Sequence, residues 1–126
     1  MKLFVILGSI NMAIAVAIGA FGAHGLAPRV TEKMLQTWET GAHYHIIHAL
    51  ALIAVGILMS KAGHASSLMN TGGWFLFAGI VIFSGSLYAL VLTNVSKLGM
   101  ITPIGGVCFI IGWILVAVAT TKMAVQ

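Results

Sequence analysis

The chain has 126 residues, of which 60% are apolar and only 6% charged, with a formal net charge of +4 and a mean hydropathy of +1.11. A soluble domain carries about a quarter charged residues, so this composition cannot cover a water-facing surface and points to a single domain embedded in lipid. The basic residues are scattered between apolar blocks, which excludes a nucleic-acid-binding patch, and a lone Cys108 excludes an intramolecular disulfide and a cysteine pair for redox or zinc chemistry.

The first apolar block runs over 3–23 without a charge. Lys2 followed by the small residues Ala20, Gly22 and Ala23 has the outline of a cleaved signal. The block is longer than the roughly 7 to 15 residues of a signal-peptide core, and it reads as a retained span. Ala15, Gly19 and Ala23 fall four residues apart, a ridge of the kind that lets membrane helices approach closely. It suits helix packing inside the bundle or a homo-oligomer interface.

The connection that follows holds His24, Gly25 and Pro28, after which Thr31 is placed to cap a helix with Glu32 in its first turn. Met34, Leu35, Trp38 and Ala42 then recur at helical spacing, opposed by Lys33, Gln36, Glu39 and Thr40. This predicts an amphipathic helical segment over 31–43, lying in the interface or extending the next helix above it.

The second span, about 44–60, is entered through His43, His45 and His48. A polar link from Lys61 to Thr71 leads to a third span over 72–93, and Asn94 to Lys97 leads to a fourth over 98–120. A helix needs roughly 20 apolar residues to cross a bilayer. The reading is therefore an all-α, four-helix transmembrane bundle in which short links make consecutive helices antiparallel. Glycines at 79, 85, 105, 106 and 112 add close-packing positions in the last two spans.

Lys2, Lys61 and Lys122 fall on one face, and Arg29, Lys33 and Lys97 on the other. With three cations against three, the positive-inside rule favours neither orientation. Either the long first connection is exported despite its charges, the commoner arrangement, which puts both termini in the cytoplasm, or the protein inserts both ways.

Polar groups inside apolar helices are costly and therefore informative. No Asp or Glu lies within a span, which argues against a proton-coupled exporter built on a membrane carboxylate, a two-carboxylate hydrolase and a carboxylate-bridged di-iron site. On a helix His45 and His48 lie about 60° apart and share a face. By depth, His24, Tyr44, His45, His48, Ser84, Ser86, Tyr88 and Thr102 belong to one half of the bundle, with the serines and Tyr88 roughly 9 to 15 Å below the exit of span three.

Three readings fit that half. It is structural, its side chains satisfying one another and backbone groups loosened by Pro103; it takes a small ligand or ion; or it holds a metal or haem. For a metal, His24, His45 and His48 offer three imidazoles, with no cysteine or intramembrane carboxylate to complete the set. For haem, only His24 is available as a second axial histidine.

The segments Gly19-Ala20-Phe21-Gly22-Ala23-His24-Gly25, Trp38, Tyr44 with His48-Ala49-Leu50-Ala51-Leu52, Phe83-Ser84-Gly85-Ser86-Leu87-Tyr88, Ile101-Thr102-Pro103-Ile104-Gly105-Gly106 and Gly112-Trp113 follow one another along the chain. Together they resemble, in order and spacing, the family of small four-helix membrane proteins of undefined function that includes bacterial YgdD and YwdK, in its staphylococcal form. The resemblance implies a multi-pass protein of the bacterial plasma membrane with no assigned reaction; no cofactor is expected. The positions it carries over are His24, Tyr44, His48, Ser84, Ser86, Tyr88, Thr102 and Pro103; His43 and His45 fall outside its motif. The expected function is structural or interactive, with no catalytic residue, and the lipid bilayer is the expected partner. The alternative is a channel or transporter for a small solute built around His24 and His48.

Overall fold

A computed structural model describes residues 2–123. Among the described residues are four helices, each long and apolar enough to cross a bilayer: α1 (Lys2–Arg29), α2 (Glu32–Met59), α3 (Gly63–Thr93) and α4 (Ser96–Thr121). Among the described residues there is no strand, and the architecture is an all-α four-helix membrane bundle.

Local chemistry sets the helix ends. α1 is regular over Lys2–Phe21, passes through a π turn at Gly22–Leu26 and closes in a 3-10 turn at Ala27–Arg29. After extended Val30, the Thr31 hydroxyl accepts from the Met34 N–H at 3.2 Å, and Glu32 sits in the first turn, where the helix dipole favours an acid. Glycine permits the left-handed backbone at Gly63 that opens α3 (φ 56°), and Asn94 adopts the same region (φ 58°) to end it. α3 also contains a π turn, at Ile80–Ser84. Pro103 lies in the first turn of the regular part of α4, where its missing N–H breaks no hydrogen bond.

α2 is one uninterrupted helix of 28 residues, about 42 Å long at 1.5 Å per residue. The amphipathic stretch over 31–43 is thus the first part of this helix and not a separate element lying in the interface. Its apolar stripe turns inward: Trp38 and Ala42 are buried and Met34 half-buried, while Lys33, Gln36, Glu39 and Thr40 are exposed. Beyond His43 the outward face of α2 changes character, to Tyr44, Ile46, Ile47, Leu50 and Ile57.

α1 packs along α2, α2 along α3, and α3 along α4, so α2 and α3 are the enclosed helices and α1 and α4 the flanks. Two apolar clusters form. The larger, toward the chain termini, includes Phe4, Leu52, Met69, Leu76 and Phe109; the smaller, toward the opposite end, joins Leu26, Trp38, Leu90 and Val91. The buried polar side chains His45, His48, Ser84 and Ser86 lie between them. The sequence reading of one polar half and one apolar half therefore becomes a polar layer held between two apolar ones.

Close contact holds the layers together, because lipid offers no hydrophobic drive for helix association and van der Waals packing must supply it. A Cβ at Gly105 of α4 would run into the backbone of Phe83 in the π turn of α3. At Gly85, by contrast, nothing lies within 4 Å. Gly105→Ala is expected to lower the unfolding temperature in detergent micelles, at a cost of about 1 to 3 kcal/mol from overpacking, whereas Gly85→Ala should leave it nearly unchanged.

Candidate functional site

The polar layer is organised by His45, which α2 presents to both α1 and α3 while only 4% exposed. Its Nε2 lies 2.9 Å from Asn11 Oδ1 on α1, and its Nδ1 lies 2.9 Å from the Tyr88 hydroxyl on α3. Asn11 donates through Nδ2 to the carbonyl of Leu7, at 2.9 Å, leaving Oδ1 as an acceptor. The directions follow from that assignment. The Nε2–H of His45 donates to Asn11, and its free Nδ1 accepts the Tyr88 hydroxyl. A single directed chain, Tyr88 to His45 to Asn11 to Leu7, thus ties three helices together.

His48, also 4% exposed, is held differently. Its Nδ1 donates to the carbonyl of Tyr44 one turn earlier at 2.8 Å, and its Nε2 accepts the indole N–H of Trp113 on α4 at 3.0 Å. The ring stacks on Phe109, with centroids 3.6 Å apart and planes 13° from parallel. His45 and His48 therefore hold opposite tautomers, and neither has a free ring nitrogen.

The hydroxyls complete the layer. Ser84 donates to the carbonyl of Gly41 at 2.8 Å, linking the π turn of α3 to α2. Ser86 donates to the carbonyl of Phe83 at 2.9 Å and pairs with the Thr102 hydroxyl at 2.5 Å, linking α3 to α4. Tyr44 packs its ring on Phe83, 4.6 Å between centroids, at the edge of a lateral groove of about 350 Å³ that His48, Phe109 and Trp113 also line. Trp38 covers the end of the layer: its indole N–H donates to the carbonyl of Ile18 at 2.9 Å, and its ring lies 4.9 Å from that of Tyr88. Among the described residues, no buried side-chain nitrogen or oxygen lacks a hydrogen-bond partner.

Of the sequence-selected residues, the structure places Tyr44 beside His48, Ser86 against Thr102, Ser84 on the backbone of Gly41 and Tyr88 on His45. Two stand apart. His24 sits in the π turn at the end of α1 and is exposed, and Pro103 is exposed at the start of α4. Pro103 in that position loosens no backbone group for the polar side chains to satisfy. The set His24, His45 and His48 does not converge, and no three His, Cys, Asp or Glu side chains come together as metal ligands among the described residues. Because both nitrogens of His45 and His48 are engaged, neither imidazole is free to serve as a metal or haem ligand in this arrangement. Sequence reasoning misses Asn11, although a carboxamide in the middle of an otherwise apolar span is a signal in itself.

Residues 18–106 match the family described as "Protein of unknown function (DUF423)". The chain is similar to the UPF0382 membrane protein YwdK of Bacillus subtilis, with 55% identity over 122 residues, 97% of this chain and 98% of the relative. It is similar at 52% identity to the UPF0382 membrane protein SAB0533 of Staphylococcus aureus, over 98% of this chain and 99% of the relative. A UPF0382 membrane protein of Staphylococcus epidermidis is 51% identical over the same shares. No solved structure matches the chain.

If the His45 chain joins the helices, its links are energetically coupled. The coupling between Asn11 and His45 is expected at roughly 0.6 kcal/mol and at most about 1.7, and Asn11→Ala alone should cost more than this because it also strands the buried Nε2–H of His45. His45→Ala should remove most of the effect of Asn11→Ala when the two are combined, and His24→Ala should change nothing. Reversible unfolding in mixed micelles, analysed as a double-mutant cycle, checks this.

Proposed function

The chain belongs to the DUF423 family of membrane proteins, and we propose that within that family it works as a structural or interaction component of the bacterial plasma membrane, not as a conductor of solutes. One observation carries this reading: the buried donors and acceptors of the polar layer are each committed to a partner within the protein. A conduction path requires polar groups that can exchange partners with a passing solute and water. Here each buried histidine nitrogen has a committed partner, and apolar clusters lie beyond the layer on both sides. In hydrocarbon such a network serves to hold helices in register.

The polar exposed residues of α2 end at His43 and the apolar ones begin at Tyr44, so the first part of α2 turns Gln36, Glu39, Thr40 and His43 outward, a surface suited to a polar partner. We assign both termini to the cytoplasm. Their face carries Lys2, Lys61 and Lys122 without either acid, and the cytoplasmic leaflet is the more anionic one. Self-association through the ridge of Ala15, Gly19 and Ala23 is restricted to its outer part, since Ala15 is fully buried against the bundle while nothing lies within 4 Å of a Cβ at Gly19.

Reconstituted liposomes carrying an internal pH dye test the reading. Under an imposed proton or potassium gradient, the protein is expected to raise flux no further than empty liposomes do. Flux above that background that disappears in His45→Ala or His48→Ala would replace the structural reading with the channel or transporter one.

A further inference from the structure

At the end of the bundle where the chain starts, the outer flanks of α1 and α2 part to leave a groove of about 410 Å³. Val5, Ile6, Gly56 and Ile57 form its walls, and the polar residues lining it are Lys2 and Ser60. Those two sit at the helix ends, Lys2 opening α1 and Ser60 following α2, so the groove runs from the membrane surface into the hydrocarbon. Ile6 and Ile57 are 54% and 59% exposed, and the groove therefore opens sideways to lipid and not into the bundle.

Charge decides the occupant. The three cations of this face, Lys2, Lys61 and Lys122, have no acid among them, because Glu32 and Glu39 both belong to the opposite end. An apolar trough ending at an ammonium group matches a molecule with a hydrocarbon chain and an anionic head. We propose that this groove is a binding site for an anionic phospholipid, with one acyl chain along Val5, Ile6 and Ile57 and the phosphate at Lys2. Ser60 donates its hydroxyl to the carbonyl of Ile57 at 2.6 Å and keeps its lone pairs, so it positions the wall of the groove while Lys2 supplies the charge. The site is independent of the polar layer and goes beyond the interaction reading.

Native mass spectrometry of the full chain, released from vesicles of equal phosphatidylglycerol and phosphatidylcholine, tests the proposal. The wild-type protein is expected to retain phosphatidylglycerol in preference to phosphatidylcholine. Lys2→Gln should lower that retention about fivefold, the effect of one lysine at an anionic surface. Lys122→Gln removes the same charge from the same face outside the groove and should leave retention unchanged. Ile6→Trp fills the groove without altering charge and should lower retention, with its unfolding temperature confirming that the bundle is intact. Equal retention of the two lipids, equal losses in Lys2→Gln and Lys122→Gln, or full retention in Ile6→Trp would each overturn the site.

Discussion

Hydrocarbon offers no partner to a polar group, and the rest of this structure depends on that constraint. A buried imidazole in a membrane must find both a donor and an acceptor inside the protein or bear a penalty of several kcal/mol. His45 meets the requirement by reaching across to two neighbouring helices, Asn11 on one side and Tyr88 on the other. His48 meets it with the backbone of its own helix and the indole of Trp113. Between them these two residues connect α2 to every other helix of the bundle, so satisfying the polar groups and positioning the helices are one event.

The apolar clusters make that arrangement specific. Close approach of backbones at Gly105 and Phe83, and of Gly8 to the carbonyl of Ala49, fixes interhelical distances that leucine-lined surfaces would leave adjustable. Trp38 locks the outer end by combining a hydrogen bond to Ile18 with ring contacts to Phe21 and Tyr88. The part of α2 that carries Trp38 is the amphipathic stretch, and its inward stripe explains why this segment continues the helix. Left in the interface, it would forfeit the indole's fit against Gly22 and Tyr88.

Much of this is legible in the sequence, because apolar length and charge spacing alone define four helices in a membrane. The family resemblance is legible in motifs that include the close-packed Gly105 and the polar His48, Ser84, Ser86 and Tyr88. The candidate site is less so, and the reason is geometric. Depth along a helix follows from residue number, but the direction in which a side chain points requires knowing which face meets which neighbour. His24 shares the right end of the bundle yet points outward, whereas His45, outside the recognised motif, points to the centre. The π turn at Ile80–Ser84 compounds the difficulty, since one extra residue rotates everything after it by about 100°. Ser84 and Tyr88 face α2 while Ser86 faces α4 as the turn leaves them. Asn11 escapes a reading that weighs ionisable and hydroxyl groups, although an amide is as costly to strand in lipid and as useful for joining helices.

The central claim is that the polar layer is closed: its groups serve one another and not water or a solute. Water-edited solid-state NMR of the full chain in lipid bilayers, with labelled histidine and asparagine, tests this most directly. Exposed His24 and His43 should receive magnetisation from water rapidly, while the rings of His45 and His48 and the carboxamide of Asn11 should receive almost none. Transfer to His45 as fast as to His43 would mean that water reaches the centre of the bundle and would contradict the account.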